Sequence, residues 1–335
     1  MKPSLVGAFD ALSPDAAQSA VEGALGLNLD GSMLTYPSYA NRVYGFRTDD
    51  AKYLVAKFYR PGRWTETAIR EEHLLVRECA EAELPVARPL ELRGGGSLGI
   101  LDLENDEGMP AEFVFAVYPR MGGRNFDAER DEDWRRLGSV VARLHTVGAR
   151  RTAPARQRLT PLLIASFVQE LLDAGLVHPR SEGEFSDIAE ETLNEIAAPF
   201  EQLDYHRIHG DLHRGNILDR PGEGLYLIDF DDMAMGPAVQ DIWLLLPGRA
   251  GECRRELAFL IEGYEEFRPF DKKSLSLIEG LRFMRMLYFL AWRSRQRGDR
   301  WFDREFPDWG TSSFWSQEVE GLREQASFVR EALDY

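Results

Sequence analysis

The string His209-Gly210-Asp211-Leu212-His213-Arg214-Gly215-Asn216, followed by Ile228-Asp229-Phe230-Asp231, constrains this chain more than any other stretch. It sets an Asp and an Asn five positions apart in a polar, turn-rich loop. Thirteen residues after the Asn, a second Asp ends the apolar run 225–228. Taken singly, Gly, Asp and Asn are ordinary turn residues. Their ordered combination is far more specific, because residues 217–218 and 225–228 read as a short hairpin turning through Pro221-Gly222-Glu223-Gly224. Such a hairpin returns Asn216 and Asp229 to the same end, where one metal ion can bridge an amide oxygen and a carboxylate. Phosphoryl transfer from a nucleotide requires that pair beside a carboxylate that orients the acceptor hydroxyl.

On this basis Asp211 is the expected base or hydroxyl-orienting group. Its role is largely positional, since the transition state is loose and proton transfer comes late. Asn216 and Asp229 are the expected magnesium ligands, with Asp229 also counted in the catalytic set. Lys57 lies in Val55-Ala56-Lys57-Phe58-Tyr59, where alternation puts Val55, Lys57 and Tyr59 on one face of a strand. A lysine there can neutralise the α- and β-phosphates of ATP; without the loop motif it would be an ordinary exposed strand lysine. A carboxylate must hold it, and the following helix offers Glu71 and Glu72. Glu72 shares a helical stripe with apolar Leu75, Val76 and Cys79, so Glu72 is expected inside and Glu71 in solvent.

Five strings carry a resemblance: Ser-Tyr-Ala-Asn-Arg-Val-Tyr-Gly-Phe at 38–46, Val-Ala-Lys-Phe-Tyr-Arg-Pro at 55–61, the loop at 209–216, Ile-Asp-Phe-Asp-Asp at 228–232 and Gly-Pro-Ala-Val-Gln-Asp-Ile-Trp-Leu-Leu-Leu at 236–246. By these, over nearly its whole length, the chain resembles the bacterial stress response kinase A family. That family lies in the aminoglycoside- and choline-kinase-like branch of the protein-kinase-like fold. The catalytic strings point only to the superfamily, and the strings at 38–46 and 236–246 to the narrower family. The resemblance implies an α+β, bilobal protein-kinase-like fold. It also implies ATP as co-substrate, Mg2+, a protein Ser/Thr hydroxyl as acceptor and a role in stress response.

The departures from protein kinases are specific. No Gly-x-Gly-x-x-Gly loop is present, and Ser38-Tyr39-Ala40-Asn41-Arg42 stands in its place. The resemblance gives Ser38 a nucleotide contact, its hydroxyl and nearby N–H groups bonding phosphate oxygens; the plain alternative is a polar β-turn. Gly210 replaces the arginine of His-Arg-Asp, and no Ala-Pro-Glu string follows, which argues against control by a phosphorylated activation loop. Asp231 replaces the glycine of Asp-Phe-Gly. For Asp231 and Asp232, a second metal or a cationic acceptor stands open, with acids at a helix N-terminus as the plainer account. The group that stabilises the transferring phosphoryl is left open between His213 and Arg214, either of which reads equally well as a solvated loop residue. His209 is expected to support the loop, and Asp241 to pin its backbone.

A chain of 335 residues is long enough for two lobes. Strand patterns at 43–47, 53–59, 98–103 and 113–118, with helices at 14–27 and 65–82, give a β-rich lobe over 1–118 that holds the nucleotide phosphates. Helical patterns at 131–147, 161–174, 184–203, 239–246, 253–267, 272–297 and 314–333 give a larger lobe over 119–335 with the catalytic loop and metal site. Ligands are then expected in the cleft between lobes. The formal charge of −16 excludes non-specific binding to nucleic acid or anionic membrane. The two cysteines make no disulfide framework. Neither a signal pattern nor an apolar run near ~18 residues is present, so a cytoplasmic monomer is the default. Five of the seven tryptophans fall late, at 243, 292, 301, 309 and 315, and read as core bulk rather than an aromatic cage. Three functions follow in order: a protein serine/threonine kinase, a kinase for a small alcohol (aminoglycoside, choline or homoserine-like), and a nucleotide-binding scaffold.

Overall fold

In the computed structural model, which describes residues 7–38, 40–104, 108–220 and 222–333, local chemistry sets the ends of most elements. Residues 1–6, Tyr39 of the 38–46 string and Pro221 of the hairpin turn lie outside the described residues. Ser13 Oγ accepts the Ala16 amide to open α1 (Pro14–Leu25), which stops when Gly26 turns left-handed at φ +65°. Strands β1 (Leu29–Tyr36), β2 (Arg42–Thr48) and β3 (Tyr53–Phe58) follow. Thr65 Oγ1 then caps α2 (Glu66–Glu81) through the Ala68 amide. Next come β4 (Gly99–Glu104), β5 (Pro110–Pro119) and the two-residue β6 (Arg124–Asn125). Helices α3 (Asp131–Gly148), α4 (Pro161–Asp173) and α5 (Glu182–Glu201) precede the short strands β7 (His206–Ile208), β8 (Ile217–Arg220), β9 (Gly224–Leu227) and β10 (Ala234–Gly236). The chain ends in α6 (Val239–Trp243), α7 (Arg254–Glu265), α8 (Ile278–Ser294), α9 (Phe302–Glu305) and α10 (Ser312–Leu333).

The chain divides into two compact units, Met1–Phe126 with Asn216–Asp231, and Asp127–Gly215 with Asp232–Tyr335. The division differs from the one expected at Tyr118, which put the whole metal segment with the helices. Strand pairing is the reason. Arg124 and Asn125 of β6 pair with Asp219 and Leu218 of β8, and β8 pairs with β9, Ile217 opposite Leu227. Leu227 in turn bridges Val86 and donates its amide to Pro85 O at 2.9 Å, so the hairpin belongs to the sheet unit.

In that unit the five-stranded antiparallel sheet runs β1-β2-β3-β5-β4. Leu54, Ala56 and Phe58 point to one face, where they pack with Phe46, Phe113, Phe115 and the α1 residues Ala17 and Val21. Val55 and Lys57 take the other face by the two-residue period of the strand. In the helical unit, α3 and α7 cross with almost no space between them. A Cβ on Gly138 would fall 1.9 Å from Leu260 O, and one on Gly263 would fall 2.0 Å from Arg135 O. The C-terminal end of α3 is closed by fully buried Arg207, whose Nε donates to Gly148 O and Nη2 to Val147 O, both at 3.1 Å. A cation suits those unsatisfied carbonyls. Trp243 and Trp315 are buried, Trp315 edge-on to Phe185 at 5.4 Å, which is packing and not a cage.

Two outcomes are expected. Gly138→Ala forces backbone apart and should cost ~1–3 kcal/mol in urea unfolding, whereas Gly183→Ala, with nothing within 4 Å, should hold or raise stability. His206 is buried edge-on to His145, centroids 4.8 Å apart, and burial, with His145 and Arg268 adding to it, pulls its pKa down to about 2. Its folded pKa lies below the unfolded value, so the unfolded chain binds a proton that the folded chain refuses. Stability therefore falls as pH drops below ~6.5, by ~1.4 kcal/mol per unit from this residue. His206→Phe should lessen the loss between pH 7 and pH 5 by ~2 kcal/mol in chemical denaturation.

Candidate active site

In the helical unit, the loop that carries Asp211 is fixed from behind. The amides of His209 and Gly210 donate to the Asp241 carboxylate at 2.8 and 2.9 Å, and His145 Nε2 bonds the same carboxylate at 3.0 Å. Gln240 Nε2 adds a bond to Gly210 O at 3.1 Å. Asp241 thus pins the loop backbone, as its position in the sequence suggests. Gly210 has φ +85°, and a Cβ there would sit 2.1 Å from Asp232 O. No side chain fits, which is the physical reason an arginine is missing from this triplet. Asp211 itself is partly exposed, and its Oδ1 lies 2.7 Å from Arg285 Nη2 on α8. His213 Nε2 is 3.6 Å from Asp211 Oδ2, beyond hydrogen-bond range, while its Nδ1 accepts the Gly215 amide. Arg214 is held by Asp127 at 2.8 Å and by Leu245 O at 3.2 Å.

In the sheet unit, the hairpin brings Asn216 and Asp229 to one end, with the Ile228 amide donating to Asn216 O at 3.0 Å. Asn216 is buried, while the Asp229 side chain is about half exposed and its backbone is left-handed at φ +61°. A non-glycine residue in that region is strained and persists only where its surroundings over-determine it. One of those determinants is Lys57, whose Nζ lies 2.6 Å from Asp229 Oδ1. Burial works against the lysine's charge, but the carboxylates of Asp229, Asp231 and Glu72 outweigh it and hold its pKa well above the usual range. Glu72 is buried on α2 and Glu71 is only partly so. The Glu72 carboxylate meets Tyr59 Oη at 3.5 Å, and Tyr59 continues through His73 Nε2 at 3.0 Å and Tyr118 Oη at 3.2 Å. Burial and the Glu72 charge raise both tyrosine pKa values, so these hydroxyls stay protonated. Ser38 Oγ accepts the Asn41 amide at 3.3 Å, closing the β1–β2 connection on itself.

Of these residues, Lys57, Glu72, Tyr118 and Asp229 border a cavity of about 360 Å³ within the sheet unit, and Ser38 and Asn216 are not among those that line it. Val43, Val55, Val76, Ala87, Leu218 and Ile228 form its apolar walls, and Lys57, Glu72 and Asp229 its polar part. That is a common size and make-up for a small-molecule site.

Residues 35–278 match the model of the phosphotransferase enzyme family, APH. Stress response kinase A of Escherichia coli is 36% identical over 327 residues, covering 96% of this chain and 95% of that protein. A Salmonella typhimurium protein named serine/threonine protein kinase RdoA is 35% identical over 329 residues, with the same shares covered. The chain belongs to the phosphotransferase enzyme family. The solved amicoumacin kinase hAmiN, in complex with AMP-PNP, Ca2+ and Ami, superposes with a TM-score of 0.71 at 16% identity, covering 94% of this chain and 93% of that one. That likeness establishes the kinase-like fold.

Within this phosphotransferase, Asp231 departs from its plainer expectation as a helix N-terminal acid. It is buried and forms a close ion pair with Arg63, which is itself partly buried. Asn41 Nδ2 donates to Asp231 Oδ2 at 3.2 Å, and Asn41 Oδ1 accepts the Arg60 amide at 3.2 Å. The segment with Asp229 is thereby tied to the turn that holds Ser38. Neither Asn41, Arg63 nor Arg285 was singled out by sequence; an Arg in a regular core helix offers no signal beyond its interruption of an apolar run. Arg63→Met strips the buried carboxylate of its guanidinium and should cost ~3 kcal/mol in chemical denaturation. This is the lower end for a buried pair, because Lys57 also lies within coulombic reach of Asp231. Adding Asp231→Asn should recover part of the loss.

Proposed function

We propose that this phosphotransferase passes the γ-phosphoryl group of ATP to a serine or threonine hydroxyl of a protein, with magnesium. The observation that carries it is the Lys57–Asp229 pair, 2.6 Å apart, on the wall of an otherwise largely apolar cavity. The valine-rich walls accept a base, and a fixed cation beside an exposed carboxylate suits phosphates and their counter-ion. Ser38 and the amides around it meet the phosphates, and Glu72 helps keep Lys57 charged. In this reading the sheet unit binds the nucleotide, and Asp211 orients the acceptor hydroxyl.

Asn216 and Asp229 would hold magnesium, one amide oxygen and one carboxylate, both hard donors. Magnesium completes its shell with phosphate oxygens and water instead of an all-protein cage. When bound, the ion offsets phosphate charge. The acceptor oxygen bonds phosphorus as the β–γ bridging bond breaks, ADP departs, and the hydroxyl proton ends on the Asp211 carboxylate.

The acceptor class rests on the relatives' names, and the need for cellular ATP supports a cytoplasmic site of action; we take the working unit to be a monomer. A small alcohol acceptor is the second reading, favoured by the fold shared with amicoumacin kinase. Incubation with γ-labelled ATP separates the two. Label is expected in protein, either an added substrate or the enzyme itself, and label confined to a small alcohol would overturn the first reading. Asp211→Ala should slow transfer at least ~100-fold, and an unchanged rate would remove Asp211 from its role.

A further inference from the structure

We propose that Arg285 is a positioning residue for phosphoryl transfer, holding the Asp211 carboxylate by one oxygen so that the other faces the acceptor hydroxyl. This rests on the role of Asp211 given above. The backbone under Asp211 is already immobilised by Asp241 through the His209 and Gly210 amides. Those backbone bonds do not set the rotation of the carboxylate about its side-chain torsions, and restraint of that freedom matters. Transfer depends on a near-attack geometry, in which an error of about 1 Å is enough to cost ~100-fold.

Arg285 removes the freedom. Its Nη2 lies 2.7 Å from Asp211 Oδ1, with both side chains about three-quarters buried. The guanidinium is itself restrained, stacked over the Phe289 ring at 4.7 Å. It projects from α8, whose buried Leu281, Met284 and Leu287 anchor the helix in the core. Three residues on, Tyr288 Oη reaches Asp232 Oδ1 at 3.4 Å. One helix face therefore fastens the loop at 211 and the segment that begins at 232. A planar guanidinium fixes direction as well as charge, which an ammonium does less well. A mere surface ion pair would contribute little to stability and nothing to turnover.

The test compares the unmodified chain with Arg285→Met, Arg285→Lys, Asp211→Asn and Arg285→Met/Asp211→Asn. Initial rates of transfer from γ-labelled ATP are read with casein as acceptor, and with water as acceptor where casein takes no label. MgADP affinity and the urea midpoint are measured on each variant. Arg285→Met is expected to lower kcat ~10- to 100-fold with KM for ATP and MgADP affinity within about two-fold of the unmodified chain. Arg285→Lys should restore part of that loss, and Arg285→Met should add nothing to Asp211→Asn. An unaltered rate in Arg285→Met alongside a slow Asp211→Asn overturns the proposal and leaves the role of Asp211 intact. So does an equal further slowing in the double variant, or a change in KM alone. A normal rate in Asp211→Asn removes the role of Asp211 itself, and the proposal with it.

Discussion

A carboxylate with no solvent exposure, Asp241, sets where the loop at 209–216 sits. Burying a charge is costly unless it is paired and hydrogen-bonded. Here the carboxylate gathers two consecutive loop amides and His145 Nε2. His145 is oriented in turn by Tyr264 Oη at 3.0 Å from its Nδ1. The bonds to an ionised acceptor are of the stronger, charge-assisted kind. Three helices meet in this small network: α3 gives His145, α6 gives Asp241 and α7 gives Tyr264. The close crossing of α3 and α7 at Gly138 and Gly263 is thus a requirement on the loop as well as on the core. A helix displaced by one methyl group would carry His145 or Tyr264 with it.

The sheet unit meets the same demand with different residues. Lys57 is buried on an apolar strand face, and three carboxylates keep it charged there. The hydroxyls of Tyr59 and Tyr118 meet at His73, and His73 Nδ1 is 2.6 Å from Ser97 Oγ. Glu72 meets this polar group through Tyr59 Oη, and Tyr118 also lines the cavity. Burial and the Glu72 charge keep both tyrosine hydroxyls protonated. Asp229 holds a left-handed backbone against a cost of ~1–3 kcal/mol. That strain turns the carboxylate toward Lys57 and the cavity instead of along the strand.

What was legible in the sequence was local. The β8–β9 hairpin between Asn216 and Asp229 could be read because turn residues and apolar runs stand at short separations there. The inward facing of Glu72 could be read from its stripe with Leu75, Val76 and Cys79. The rest is set by contacts remote in sequence. Arg285 is 74 residues from Asp211, Arg63 is 168 from Asp231, and Asn41 is 190 from it. No period or spacing links such pairs. Strands β6, β7 and β10 have two or three residues and so no alternation to detect, yet β6 is what draws the hairpin into the sheet unit. The expected helix over 272–297 begins as a tighter 3-10 turn, Lys272–Leu277, started by Asp271, and only then becomes α8.

The two departures from protein-kinase strings make sense together. In Asp-Phe-Gly, the glycine permits backbone conformations closed to other residues. The residue at that place here, Asp231, is not among those with positive φ; the left-handed residue is Asp229. A glycine is therefore not needed at 231, and a side chain there is free of backbone penalty. That side chain is spent on Arg63 and Asn41, which fasten the segment instead of loosening it. Glycine is needed in the other string, at Gly210, where the loop backbone presses on Asp232 O too closely for any Cβ. The arginine that would receive a phosphorylated loop has no room, and the segment that such a loop would move is locked by a buried ion pair. Rearranging it would mean exposing or stranding the Arg63 and Asp231 charges, at a cost of several kcal/mol. The loop at Gly210 and the segment at Asp231 are thus both held in place by folding itself.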